Sequence, residues 1–135
     1  MSKPTVLLAD DHPKLLEKVE NLLKKNFEVV GRVGDGQALI EAAIKLEPDV
    51  IVTDISMPIF NGIEAVKRLK ESGCQSKVVF LTIHADPDYV RVSTSLSALG
   101  YVVKPRMGTD LIPAIQEALT GRIFISPSLH YLNCA

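Results

Sequence analysis

Polar residues with distinct chemistry follow four of the predicted strands, each at the point where the strand ends. They are Asp10 with Asp11, then Asp54, Thr82 and Lys104. The carboxyl ends of parallel strands lie along one edge of a sheet, which is where open α/β folds bind ligands. We therefore expect these side chains to meet in one site.

The chemistry that such a cluster suits is phosphoryl transfer. Three neighbouring carboxylates, from Asp10, Asp11 and Asp54, repel one another unless a cation lies among them. An all-oxygen site favours Mg²⁺, which keeps several waters and binds phosphate oxygens. Lys104 adds a positive charge and Thr82 a hydroxyl donor for the oxygens of a phosphoryl group in transfer. Asp54 would be the nucleophile and form an aspartyl phosphate.

The composition excludes several other classes of protein. The 135 residues suit one domain with one core. Fifteen Lys and Arg against sixteen Asp and Glu give no basic nucleic-acid footprint. No apolar stretch approaches the about 18 residues of a membrane span, and the first residues are no signal peptide. Cys74 and Cys134 fit free thiols, so we expect a cytoplasmic protein without membrane contact.

Strand and helix signals alternate five times, which predicts an α/β fold with a parallel sheet between two layers of helices. Strands are predicted near residues 5–9, 27–33, 50–53, 77–83 and 100–103, and helices near 13–23, 36–46, 61–72, 88–96 and 110–121. Right-handed winding in the order 2-1-3-4-5 gives a flavodoxin-like, doubly wound, five-stranded sheet. Strand two then lies at an edge, and strands one and three lie side by side.

Several helix starts carry capping signals. Asp35 and Asp86 are predicted N-caps, and Asn61 with Glu64 resembles a capping box. The fourth helix is rich in Ser, Thr and Val, so we expect it to be the least stable. The fifth helix is predicted to start at Asp110, because Pro113 then falls in the first turn, where its missing N–H costs little.

The same residues form an ordered set of motifs that resembles the receiver domain of two-component response regulators. The motifs are Asp10-Asp11-His12-Pro13, Asp54-Ile55-Ser56-Met57-Pro58, Asn61-Gly62, Leu81-Thr82 and Gly100-Tyr101-Val102-Val103-Lys104-Pro105. The match covers about residues 4–121. The first motif and residues 114–129 also resemble the subfamily in which a receiver precedes a helix-turn-helix DNA-binding domain. Residues 1–122 would then be the receiver, and 123–135 a tail or the start of an interdomain linker.

The resemblance implies a role for each site residue. Asp54 would accept a phosphoryl group from the phosphohistidine of a sensor histidine kinase. Asp11, Asp54 and the backbone carbonyl of Ser56 would bind Mg²⁺ directly, with Asp10 acting mostly through water. Lys104 would pair with the phosphoryl group.

Further implied roles concern the change of state. Thr82 would move to hydrogen-bond the phosphoryl group, and Tyr101 is similar to the switch aromatic that turns inward with it. An ordinary half-buried strand aromatic is the alternative for Tyr101. The Lys104–Pro105 peptide bond looks like the family's cis bond.

Three residues are expected at the mouth of the site. Ile83 is bulky where many receivers have Ala or Ser. It either narrows access to the phosphoryl site or packs against the fourth helix, and we favour packing. Ser56 and His84 lie two residues beyond Asp54 and Thr82. His84 is interpreted as a solvated loop residue rather than a catalyst, and its charge change would make turnover pH-sensitive.

The sequence thus predicts a phosphorylation switch and not an enzyme. We expect the protein to catalyse only its own phosphorylation and dephosphorylation. Phosphate would shift the face formed by helix four, strand five and helix five, which then dimerises or contacts an output domain. DNA binding would occur only through an output domain absent from this sequence.

Other interpretations stay open. A stand-alone receiver or an unphosphorylated pseudo-receiver would act by protein contacts alone. A Mg²⁺-dependent phosphatase would need a second Asp two residues after the nucleophile, where this chain has Ser56. A nucleotide binder would need a Gly-rich phosphate loop, which the sequence lacks.

Overall fold

A parallel sheet with helices on both faces organises the chain. The computed structural model describes residues 3–84 and 86–127. The strands are β1 (Thr5–Ala9), β2 (Glu28–Val33), β3 (Val50–Thr53), β4 (Lys77–Thr82), β5 (Gly100–Val103) and β6 (Phe124–Ile125). They lie in the order β2-β1-β3-β4-β5-β6, with every neighbouring pair parallel. The predicted five-strand order is confirmed. The structure adds a sixth strand, β6, which lies in the segment that the sequence predicts to be a tail or linker.

The helices are α1 (Pro13–Leu23), α2 (Gly36–Leu46), α3 (Gly62–Glu71), α4 (Pro87–Ser95) and α5 (Met107–Leu119). On one face of the sheet, α1 and α5 bury residues such as Leu16, Leu23 and Leu111. On the other, α2, α3 and α4 bury residues such as Leu39 and Leu69. Strands β3 and β5 are buried along their whole length, as expected for central strands covered on both faces. None of the helices among the described residues is long and apolar enough to cross a bilayer.

The predicted caps form as hydrogen bonds. Asp35 accepts from the backbone N–H of Ala38 at 2.7 Å, and Asp86 caps α4 by accepting from the N–H of Asp88 at 2.8 Å. Asn61 caps α3 by accepting from the N–H of Glu64 at 2.8 Å. The capping box is only half formed, because the Glu64 carboxylate accepts a hydrogen bond from Arg68 instead.

Helix α4 contains the hydroxyl residues that make it a weak helix. The side chains of Ser93, Thr94 and Ser95 donate to backbone carbonyls three or four residues earlier in the same helix. Such bonds satisfy the hydroxyls but compete with the helical backbone bonds. The low stability of α4 stays a prediction.

The predicted start of the fifth helix is wrong. A single 3₁₀ turn, Lys104–Arg106, follows β5 and continues directly into α5 at Met107. Asp110 is therefore already helical and does not cap the helix, and Pro113 lies inside it. The expected cis bond between Lys104 and Pro105 is also wrong, since every peptide bond among the described residues is trans. Trans is the favoured isomer, and the 3₁₀ turn accommodates it.

Candidate functional site

The loop after β3 is held in place by close backbone contacts. The N–H of Asp54 donates to the carbonyl of Ala9 at 2.9 Å, and the N–H of Gly62 donates to the carbonyl of Ile55 at 2.7 Å. A Cβ on Gly62 would lie 1.9 Å from the carbonyl oxygen of Asp54. Only glycine permits this approach, so the Asn61-Gly62 motif fixes the loop that carries Asp54.

Asp54 is a buried carboxylate whose two oxygens have different surroundings. Its side chain lies at the carboxyl end of β3 and is 4% exposed. Oδ1 accepts from the backbone N–H of Ile55 at 2.7 Å and, more weakly, from that of Ser56 at 3.4 Å. Oδ2 accepts from the Lys104 ammonium at 2.9 Å. The backbone therefore orients the carboxylate, while the one mobile donor contacts Oδ2.

Lys104 is shared between two carboxylates. Its Nζ lies 2.8 Å from Asp10 Oδ2 and 2.9 Å from Asp54 Oδ2. Burial lowers the pKa of Lys104, but hydrogen bonds to Asp10 and Asp54 outweigh it, and the net pKa is raised. The ammonium is therefore charged at neutral pH and neutralises part of the negative charge.

His12 joins the acidic cluster, a position that the motifs did not predict. Its Nδ1 lies 2.8 Å from Asp10 Oδ1 and 3.0 Å from Asp11 Oδ1. The hydrogen bond to Asp10 and then the charge of Asp11 raise the pKa of His12. The sequence feature that could have predicted this contact is the position of His12 directly after Asp10-Asp11, at the start of α1.

The structure brings the predicted acidic residues together. One ligand atom from each of Asp10, Asp11, His12 and Asp54 lies within 4.8 Å of the others. Asp10 and Asp54 are buried, whereas Asp11 is exposed at the edge of the group. Three carboxylates offer the hard oxygen ligands that Mg²⁺ prefers, so the donor set fits this ion. The charge of Lys104 alone does not balance the cluster.

Thr82, Ser56 and His84 lie at or just beyond the carboxyl ends of β3 and β4. Thr82 is fully buried at the end of β4, and its Oγ1 accepts from the N–H of His84 at 3.3 Å. Ser56 Oγ and His84 Nε2 are 2.8 Å apart, which connects the loops after β3 and β4. His84 lies in a loop as expected, but it is half-buried and its ring centroid is 4.7 Å from that of Tyr89.

Ile83 does not pack against the fourth helix, so that interpretation is wrong. Its residue surface is 69% exposed. The physical reason is alternation along extended backbone, since Thr82 turns inward and its neighbour points outward.

Tyr101 is fully buried in β5, not half-buried. It is 2% exposed, and its hydroxyl donates to the backbone carbonyl of His84 at 2.7 Å. Burial raises the pKa of the phenol well above its usual value, so it stays protonated. Tyr101 thus contacts the loop that follows Thr82, and its role as a switch residue stays a prediction.

A second buried polar group lies away from this site and was not predicted. Asp110 is 4% exposed and Ser126 is completely buried, and a hydrogen bond of 2.9 Å joins them. The sequence patterns place Asp110 at a helix start and Ser126 in the tail. No local pattern indicates the pairing, because it depends on the position of β6.

Comparison with known proteins identifies relatives along most of the chain. Residues 6–116 match the family described as "Response regulator receiver domain". The nitrate/nitrite response regulator protein NarL of Escherichia coli K12 is 33% identical over 127 residues, which cover 93% of this chain and 59% of that protein. The chain thus spans about three fifths of the length of this curated relative.

Solved structures show the same fold. A LuxR-family two-component response regulator from Aurantimonas sp. SI85-9A1 has a TM-score of 0.93 at 26% identity, covering 98% of this chain and 96% of that chain. The isolated REC domain of RcsB from Salmonella enterica serovar Typhimurium, in the presence of phosphomimetic BeF3−, has a TM-score of 0.88 at 31% identity. That match covers 97% of this chain and 99% of the RcsB chain.

Proposed function

The chain belongs to the response regulator receiver domain family, and on this premise we propose that Asp54 accepts a phosphoryl group from the phosphohistidine of a sensor histidine kinase. The observation that carries the proposal is the ammonium of Lys104 bound between Asp10 and Asp54. It places a cation beside the carboxylate oxygen that would form the new bond. The REC domain of RcsB, solved with a phosphoryl mimic, has the same fold.

The hydrogen bonds of Asp54 indicate which oxygen reacts. Oδ1 is held by the backbone N–H groups of Ile55 and Ser56, whereas the partner of Oδ2 is the mobile side chain of Lys104, so Oδ2 is the oxygen that would attack phosphorus. The O–P bond forms as the P–N bond of the phosphohistidine breaks, and the leaving imidazole nitrogen keeps the bonding electrons. Lys104 then contacts the phosphoryl oxygens, where negative charge is greatest.

Mg²⁺ is the cofactor that the donor set favours. Asp11, Asp54 and the backbone carbonyl of Ser56 would hold it, with Asp10 acting through water. When bound, Mg²⁺ neutralises charge on the carboxylates and on the phosphoryl oxygens. The described residues supply no other cation inside the cluster besides Lys104 and a protonated His12.

The change of state starts from the new charge on Asp54. Lys104 and the buried hydroxyl of Thr82 gain a new partner, and a shift of Thr82 moves the following loop. Tyr101 responds because its hydroxyl is bonded to the backbone of His84 in that loop. We propose that these movements alter the face made by α4, β5 and α5, and that this face forms a homodimer or contacts an output domain.

The relatives support a further proposal about the output of the receiver. NarL is a response regulator, and the curated relative DegU of Brevibacillus brevis is named a transcriptional regulatory protein. We propose that this receiver acts on transcription through a separate DNA-binding domain. The protein catalyses only its own phosphorylation and dephosphorylation.

A direct phosphorylation experiment tests the proposal. The chain is incubated with Mg²⁺ and acetyl phosphate, and its intact mass is measured alongside that of an Asp54→Asn variant. We expect a gain of one phosphoryl group in the unaltered chain, none in the variant, and none when Mg²⁺ is removed with a chelator. Equal labelling of the two proteins would exclude Asp54 as the acceptor.

A further inference from the structure

A buried polar group links the chain after α5 to the end of β5. Ser126 Oγ donates to Asp110 Oδ2 at 2.9 Å and accepts from the backbone N–H of Val103 at 3.2 Å. One hydroxyl thus contacts both α5 and β5. We call the contact of Ser126 with Asp110 and Val103 the latch.

The negative charge of Asp110 is balanced by groups close to it in the chain, at the start of α5. Oδ2 accepts from Arg106 Nε at 2.8 Å, and Oδ1 accepts from Thr109 Oγ1 at 3.1 Å. Asp110 is therefore a fixed acceptor, and Ser126 is its contact with the chain beyond α5. A buried ionised group that could be replaced by an apolar pair is often kept for specificity rather than for stability.

The strand that the latch secures is short. β6 has two residues, Phe124 and Ile125, and its flanking backbone bonds include that of Phe124 N–H to the Leu99 carbonyl at 2.8 Å. Strands of this length at a sheet edge have little stability of their own. The Val103 N–H lies beyond the register of β6, where the Ser126 hydroxyl replaces a strand carbonyl. The latch therefore adds to the backbone bonds of β6 and to the packing of Ile125, which also hold this segment.

The latch is one residue from the phosphoacceptor site. Val103 donates to Ser126, and the next residue, Lys104, binds Asp10 and Asp54. If phosphorylation of Asp54 shifts the backbone of Lys104, the shift reaches the neighbouring residue Val103, whose N–H the latch uses.

We propose that phosphorylation of Asp54 loosens the latch through Lys104 and Val103 and so frees β6 and the chain that follows Ser126. The inference rests on the proposed function of Asp54. It adds a route from Asp54 to β6, separate from the proposed route through Thr82 and Tyr101.

Hydrogen exchange measured by mass spectrometry tests the route. Peptides covering residues 122–127 are followed with Mg²⁺ present, before and after addition of beryllofluoride. In the unaltered chain, we expect roughly tenfold faster exchange of the amides of Phe124 and Ser126 after beryllofluoride binds. Binding itself is measured separately by fluorine NMR. A latch with only a structural role would show no response to beryllofluoride.

Two variants sharpen the test. Ser126→Ala should show fast exchange in β6 before beryllofluoride is added and no further rise afterwards, while still binding beryllofluoride. Asp110→Asn keeps the shape of the acceptor, so exchange in β6 before beryllofluoride is added should be raised less than in Ser126→Ala. Thr120→Ala is the matched control, because this exposed hydroxyl donates to the Glu117 carbonyl near the same segment. It should behave like the unaltered chain.

The outcomes separate the inference from the proposed function. Bound beryllofluoride with unchanged exchange in β6 overturns the inference and leaves the proposed function intact. Slow exchange in Ser126→Ala, equal to that of the Thr120→Ala control, also overturns it. If fluorine NMR detects no bound beryllofluoride, the proposed function fails, and the inference that rests on it fails with it.

Discussion

Among the described residues, buried carboxylates occur in two polar groups, the acidic site at Asp54 and the latch at Asp110. At the phosphoacceptor site, the single ammonium of Lys104 is shared by Asp10 and Asp54, and the exposed carboxylate of Asp11 lies close by. At the latch, one carboxylate, Asp110, has the guanidinium of Arg106 and two hydroxyls. The first cluster has too little positive charge, whereas the second is balanced.

This difference accounts for the roles that we propose, a reactive one for the Asp54 site and a structural one for the latch. Surplus negative charge attracts a divalent cation, and the shared Lys104 is free to change partners. A balanced carboxylate gains nothing from a further cation and serves as a fixed acceptor instead. The ratio of cations to carboxylates, more than the residue types, separates the two clusters.

Removal of the shared cation should have the largest effect. In Lys104→Met, Asp10 and Asp54 lose their common partner while still buried, so we expect a loss of unfolding free energy of about 3 kcal/mol. Urea denaturation measures it, and Mg²⁺ should restore part of the loss in the variant. Lys67→Met, at an exposed position on α3, is the control and should change stability little. Equal stability of the two variants would show that Lys104 does not hold the cluster together.

Loss of the charge at the latch should have a smaller effect. Asp110→Asn removes a charge-assisted bond to a partly exposed Arg106, so we expect a loss of about 1–2 kcal/mol in urea denaturation. Asp88→Asn is the control, because Asp88 pairs with Arg91 on the surface and such pairs contribute about 0–1 kcal/mol. If both substitutions lower the unfolding free energy equally, burial of the latch does not strengthen the bonds of Asp110.

The latch should also respond to acid. Burial raises the pKa of Asp110, but hydrogen bonds from Arg106, Ser126 and Thr109 outweigh it, and the net pKa lies below the ordinary value of 3.8. A depressed pKa stabilises the fold above the unfolded-state pKa, and this stabilisation disappears as pH falls through the folded-state value. The difference in unfolding free energy between the unaltered chain and Asp110→Asn should be constant above about pH 5 and shrink below it. A constant difference down to acid denaturation would contradict the pairing.

The smallest effect is expected at the mouth of the phosphoacceptor site. Ser56→Ala and His84→Ala each remove one partly exposed hydrogen bond between two loops, which should cost below about 1 kcal/mol. Because the bond joins the loops after β3 and β4, its loss should loosen the surroundings of Asp54, and loss of phosphate from Asp54 should be faster in both variants, as measured by intact mass over time. The double variant should be no faster than the single ones, since they share one contact. Additive acceleration would show that the two residues act separately.

Much of the fold was predictable because its signals are local. The strand predicted near residues 50–53 forms, and the helix starts predicted from Asp35, Asn61 and Asp86 are confirmed. The start of α5 was missed because Pro113 was assigned to a first turn, whereas the 3₁₀ turn after β5 begins the helix earlier. The preference of proline for the first turn of a helix failed there, because the helix continues directly from the 3₁₀ turn that follows β5.

Sequence alone determined β1 to β5, the presence of the five helices and the acidic residues that end adjacent strands, because periodicity and capping are local and the right-handed winding rule sets the strand order. Only the tertiary structure decided that Lys104 is shared by two carboxylates, that Ile83 faces solvent and that Ser126 is buried beside Asp110. Lys104 and Asp54 are 50 positions apart, and Ser126 reaches its partner only once β6 has joined the sheet. Such contacts depend on how separate elements pack, and no local pattern encodes them.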